Sequence, residues 1–244
     1  MKSCPLVRPV GRLVAVAIVA AVALVAVAGC FDPYRVRVAQ GALDASPLEW
    51  NVTKSAIQGK TFGTKTTETR YVHESPDGSP PYPGVLQVFS IRGGDLRSTG
   101  DLTAFTRSVI EQAIEREGIS IDGTQDSEGK RSLRNGETTS WFAHVGVISR
   151  SSPDSIFLPG GGQNIVVRIL GEAGYDGTSK TSYVAVAFVQ VGERTQSGLP
   201  GGIGNTQNAD EQTWYEVVGD PTGSIGGASL PTGRGLIYNL RTHG

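Results

Sequence analysis

The strongest constraint lies at the start of the chain, where Leu13 to Ala28 is an unbroken run of Leu, Val, Ile and Ala. No side chain in it carries a charge, an amide or a hydroxyl, so nothing resists a bilayer. As a helix the run would rise ~1.5 Å per residue and reach about 24 Å, against a hydrocarbon core of ~30 Å. That is short for a membrane span. Lys2, Arg8 and Arg12 stand before it, and Val27-Ala28-Gly29 follow as small residues. A basic start, an apolar middle and small residues before a cut site are the parts of a secretory signal peptide. Residues 1–29 are therefore expected to be cleaved and to take no part in the fold.

The tetrad Val27-Ala28-Gly29-Cys30 resembles the lipobox of prokaryotic lipoproteins, with Val27 where that family usually has Leu. The resemblance implies a diacylglyceryl group on the Cys30 thiol and a mature chain that begins there. Cysteine usage agrees, because the chain has Cys 2 and the other, Cys4, leaves with the signal peptide. One remaining cysteine provides no disulfide framework. Two acyl chains anchor a protein stably where one does not. The expected partner is thus a membrane, reached through the lipid, with the domain tethered outside the cytoplasm.

Charge narrows the remaining partners. Lys and Arg total 22 and Asp and Glu 23; removing residues 1–29 takes three basic residues and no acid, leaving 19 against 23, a net −4. Nucleic-acid binding calls for a basic patch or stripe, so no nucleic acid is expected. Length after the cut suits one domain. Residues 30–58 read as a tether leading in, interrupted by Pro33, Gly41 and Pro47, and 59–244 as a single domain with an irregular Gly-rich end. Asn51-Val52-Thr53 is an N-x-T sequon, which marks Asn51 as a possible glycosylation position.

Periodicity sets the elements. Thr61 to Glu74 reads as a Thr-rich strand and Val85 to Arg92 as a second, paired antiparallel across a loop that contains Pro76-Asp77-Gly78. Leu102, Phe105, Val109, Ile110, Ala113 and Ile114 recur on one face of a helix over 102–117, with Thr99 or Asp101 as cap and Gly118 to end it. Thr103, Arg107, Glu111 and Glu115 line its wet face. Asn135-Gly136 predicts a hairpin. In the strand Glu137 to Ser149, Thr139, Trp141, Ala143, Val145 and Val147 face inward, while Ser140, Phe142, His144 and Ile148 point away. Ser149 to Asn164 reads as a long loop. Ile165 to Gly171 and Ser182 to Val191 are further strands, the second apolar enough for mid-sheet. A second helix is expected over Ala209 to Val218, capped by Asn208 with Glu211 behind it. Leu236 to Leu240 reads as a last edge strand.

Strands punctuated by helices predict an α+β fold: an antiparallel β-sheet with two helices packed on one face, preceded by the cleaved signal peptide. In its element order over residues 60–218 the chain resembles the PsbP-like fold of small secreted or lipid-anchored proteins. That resemblance rests on topology and implies no functional residue.

Motifs for chemistry are sparse. His73, His144 and His243 have no ligand spacing, so no metal is expected, and no cofactor motif occurs. Ser127-Glu128-Gly129-Lys130 has S-x-x-K spacing but reads as a turn in a Gly- and Asp-rich loop, without the companion S-D-N and K-T-G motifs. Asp95, Asp101, Asp122 and Asp126 read as turn formers, and no catalytic residue is assigned. Trp141 and Trp214 suit a core, whereas Trp50 and Tyr82 are the candidates for ligand contact. The expected function is a lipid-anchored, non-enzymatic binding or assembly module with a protein or small-molecule ligand. The alternative is an envelope hydrolase acting on peptidoglycan or polysaccharide.

Overall fold

The computed structural model describes residues 36–57, 65–92, 99–148, 155–157, 164–176, 179–194, 206–207, 210–220, 223, 225 and 233–241. All of them lie in one compact unit, Tyr34–His243. The signal peptide, Cys30, residues 58–64, Asp95 and most of the loop 149–163 fall outside the described residues.

Ten strands and three helices occur among the described residues: β1 (Arg37–Val38), α1 (Gln40–Ala45), β2 (Asn51–Ile57), β3 (Lys65–His73), β4 (Gly84–Arg92), α2 (Thr99–Glu117), β5 (Ile119–Ser132), β6 (Thr138–Ile148), β7 (Asn164–Asp176), β8 (Thr181–Arg194), β9 (Thr206–Gln207), α3 (Gln212–Val218) and β10 (Leu240–Arg241). The main sheet runs β2-β3-β4-β8-β7-β6-β5, antiparallel throughout, with β9 paired to β8. This is the expected antiparallel sheet with helices. β3 and β4 pair as foreseen, Thr69 opposite Val88. β8 is the middle strand, and every residue from Thr181 to Gly192 is buried.

The helices do not share one face. α2 lies over one side with Leu102, Ile110 and Ala113 packed among Val167, Ile169, Val184 and Val186. α3 lies over the other, where Trp214, Val217 and Val218 meet Leu86, Leu170, Ala185 and Val189. Alternation explains the split: successive residues of a central strand point to opposite faces, and here both sets are apolar. The side of β6 read as pointing away is accordingly covered, with Phe142 and Ile148 buried and Ser140 and His144 half-buried.

Chain ends help to close the α3 face. Val36, Val38 and Leu48 are buried, so the described part of the expected tether belongs to the domain. Val36 N–H donates to Ser90 Oγ at 2.7 Å and Val38 N–H to Tyr71 Oη at 3.0 Å. The edge strand expected at Leu236 to Leu240 is instead a turn followed by β10, which pairs with β1 outside the main sheet. Leu236, Ile237 and Leu240 are buried there.

Caps follow local chemistry. Gly118 at φ +67° ends α2 and Gly219 at φ +57° ends α3, both left-handed positions that glycine takes without Cβ strain. Thr99 and Asp101 lie inside the first turn of α2, which begins at Thr99. α3 starts later than expected: Gln212 N–H donates to Asp210 Oδ1 at 2.9 Å, and Glu211 holds the cap position without a side-chain bond of its own to the backbone. Gly136 at φ +87° turns the β5–β6 hairpin. The segment Ser127-Glu128-Gly129-Lys130, expected in a turn, sits within β5, where Glu128 pairs with Phe142 and Lys130 with Ser140. Its polar composition suits an edge strand, which needs only one neighbour.

Candidate functional site

Neither residue proposed from sequence for ligand contact forms an open site. Tyr82 is 1% exposed, and burial, then the charges of Glu193 and Asp210, push its hydroxyl above the usual tyrosine range. Its backbone carbonyl accepts from Thr213 Oγ1 at 2.7 Å, which ties the loop before β4 to α3. Such a ring fills space in the interior, and the expected contact role is withdrawn. Trp50 is half-buried against the α3-side core, its Nε1 donating to Ser46 Oγ at 3.0 Å and its ring 5.8 Å from that of His73. Asn51 is exposed at the start of edge strand β2, opposite Val72.

The described residues instead form a groove of about 330 Å³ where the first turns of α2 overhang the β5 edge. Thr103 and Arg107 come from α2, Glu128, Gly129 and Lys130 from β5, and Ser140, Trp141 and Phe142 from β6. Register puts Glu128 and Lys130 opposite Phe142 and Ser140, so these four side chains share the α2 face. Gly129 and Trp141 point to the other face and offer the floor. A Cβ on Gly129 would stand 2.7 Å from the Trp141 ring. Gly171 of β7 has the matching role on the α2 side, where a Cβ would come within 2.6 Å of Thr106 and 2.7 Å of Phe142. The bare Cα of Gly171 thus sets the height of α2 above the groove, while that of Gly129 admits the Trp141 ring on the opposite face.

Arg107 lies with its guanidinium carbon 4.5 Å above the Phe142 ring, a cation–π placement. Glu128 stands 4.0 Å from its Nη2, beyond hydrogen-bond length. Lys130 has no ion-pair partner among the described residues. Beside the groove, on the same face of β6, His144 Nδ1 meets Asp126 Oδ1 at 2.6 Å. The β5 bulge between Asp122 and Ser127 brings that carboxylate to the imidazole. Ser140 is four residues from His144 along an extended strand, about 14 Å, too far for a serine–histidine hydrogen bond. Ser127 pairs with Ala143 and so faces the other side.

A second polar cluster is internal. Arg131 donates from Nε to Glu172 Oε1 at 2.9 Å, from Nη2 to Oε2 at 2.7 Å, and from Nη1 to the Gly219 carbonyl at 3.2 Å. Thr139 Oγ1 donates to the same Glu172. This fork joins the C-terminus of α3 to the sheet and lies out of solvent. Burial holds the Glu216 carboxyl above its usual range, while Arg234 at 3.1 Å and Ser46 act in the other direction. It faces the chain ends, not the groove. No group of three His, Cys, Asp or Glu side chains among the described residues is arranged to hold a cation.

The groove residues were each visible in the sequence, but in separate roles. Thr103 and Arg107 read as a wet helix face, Glu128 and Lys130 as a turn, Ser140 and Phe142 as an outward strand face. An aromatic residue on a supposedly wet face was the available signal. Compared with known protein families, curated proteins and solved structures, the chain matches none.

Proposed function

We propose that this chain is a lipid-anchored, non-enzymatic binding module on the outer face of a prokaryotic membrane, and that its ligand enters the groove under α2. The groove carries the binding half of this reading: about 330 Å³ of concave space, at the small end of ligand sites, with convergent polar groups on three elements. The anchor rests on Leu13 to Ala28 and the lipobox-like Val27-Ala28-Gly29-Cys30. No helix among the described residues is long and apolar enough to cross a membrane. A lipid on Cys30 would hold the domain close to the surface, because Val36, six residues later, is already buried in the domain.

The test is native mass spectrometry on protein drawn from its own membrane in mild detergent. A chain starting at Cys30 with added acyl mass, carrying a bound mass that is lost in Phe142→Ala, is the expected result. Protein cut elsewhere and unlipidated sinks the anchor, and a bound mass indifferent to Phe142→Ala sinks the groove.

One observation favours the alternative of an envelope hydrolase: a carboxylate-oriented imidazole, Asp126–His144, next to a groove, is the pair a general base uses. Hydrolysis of peptidoglycan or a polysaccharide by the native protein that disappears in His144→Gln would establish it.

A further inference from the structure

We infer that the groove recognises an anion, a phosphate or carboxylate carried on a hydroxylated unit of about monosaccharide size; this deepens the binding reading above and rests on it. The charge is the first argument. Two cations, Arg107 and Lys130, line the groove against one acid, Glu128, in a chain whose net charge is −1. A locally basic concavity on an acidic molecule draws anions toward itself.

Geometry is the second argument. The guanidinium of Arg107 rests 4.5 Å over Phe142, so ring packing holds it in addition to the long 4.0 Å ion pair with Glu128. Glu128 at 4.0 Å is too distant to occupy its N–H fork, which leaves planar donors to meet a two-oxygen acceptor. Phe142 is itself fixed by the bare Cα of Gly171, so the cation is prepositioned. Ordering a long arginine in advance removes part of the entropy that binding otherwise loses. The third argument is the hydroxyls. Thr103 and Ser140 line the same space, and the Ser140 hydroxyl offers a donor and an acceptor to a hydroxylated frame. Size then selects: about 330 Å³ admits one sugar-sized unit.

The experiment is amide-resonance titration of the full domain with glucose 6-phosphate, glucuronate and glucose. Saturable shifts at Gly129, Lys130, Ser140 and Phe142 with the two anions, and none with glucose, are expected. Arg107→Gln and Lys130→Gln, both at exposed side chains, should each weaken the anions by about tenfold or more with the folded spectrum intact. Equal response to glucose, or unchanged affinity in both variants, overturns the anion assignment. If neither anion shifts the groove resonances while the membrane-extracted protein still carries a mass lost in Phe142→Ala, the anion class fails and the groove stands. If that mass is absent as well, both readings fall.

Discussion

A single buried arginine shows how much one residue can carry. Arg131 gives three hydrogen bonds to groups on β7 and at the end of α3, and neither it nor Glu172 reaches solvent appreciably. Removing one partner of such a pair leaves the other charge unpaired in the interior, a loss of about 3–5 kcal/mol. Arg131→Met is therefore expected to lower unfolding free energy by about that amount in urea denaturation. Arg131→Met combined with Glu172→Leu should lose less than Arg131→Met alone, because no stranded carboxylate remains. A double variant weaker than the single one would refute the pairing. Glu216 provides the pH counterpart. Its folded pKa is raised above the ordinary 4.5, chiefly by burial, so the folded state holds the proton to higher pH than the unfolded chain does. Stability from this group is then complete below about 4.5 and is lost as pH rises through the raised value. The stability of the native protein relative to Glu216→Gln should fall from pH 4.5 to pH 7, read from urea midpoints. A flat or rising difference would reject it. Asp77, lowered by its bonds to Ser79 and Ser75, acts below its ordinary 3.8 with the opposite sign and does not confuse that window.

At the scale of elements, the backbone sets terms that side chains must meet. Gly219 ends α3 in the left-handed region, and a Cβ there would stand 2.4 Å from the Arg234 carbonyl and 2.5 Å from Gly235 Cα. Strain and collision fall together, so Gly219→Ala is expected to lower the thermal midpoint clearly, by more than about 1 kcal/mol in equivalent stability. Gly41, in exposed α1 with nothing within 4 Å of its Cβ position, is the control. There the same change should be neutral or mildly stabilising in the same melt, since alanine favours a helix. An equal loss at both positions would defeat the argument. The long segment between β6 and β7 shows a related economy. Phe157 is 2% exposed in the α2-side core and pins the described residues 155–157 to the domain.

For the whole molecule, the organising fact is a sheet apolar on both faces. A seven-strand antiparallel path with β8 at its centre leaves two large surfaces to cover, and α2 with Phe157 covers one among the described residues. The other is closed by α3 together with the beginning and end of the described chain, through Val36, Val38, Leu236 and Leu240. Such closure couples the ends to the core. Proteolytic removal of residues up to Leu48 should therefore destabilise the entire domain and not merely shorten it, because four buried apolar side chains, Val36, Val38, Ala39 and Leu48, leave with it. At about 1.5–3 kcal/mol per fully buried side chain, the loss is comparable with a typical domain's stability. Cooperative unfolding at an unchanged midpoint after such truncation would contradict this closure.

Much of this was legible beforehand, and the reasons are physical. The helix at 102–117, the hairpin at Asn135-Gly136, the central strand around Tyr183 to Val189 and the cores of Trp141 and Trp214 are local patterns. Periodicity, turn chemistry and unbroken apolar runs state them within a few residues. The expected signal peptide and the Cys30 anchor are local too, and they stand as expectations on that ground. What neighbours decide stayed hidden. Whether Phe142 faces water or α2, whether Tyr82 is surface or interior, and on which side α3 lies depend on chain segments far away in sequence. β5 has no apolar signature in the sequence, because an edge strand paired on one side can be polar and bulged. The groove was the least legible of all, since its side chains come from three elements and converge only after the sheet has formed. Local sequence determined which pieces this chain makes, and long-range packing alone decided which of their faces meet and what space they leave between them.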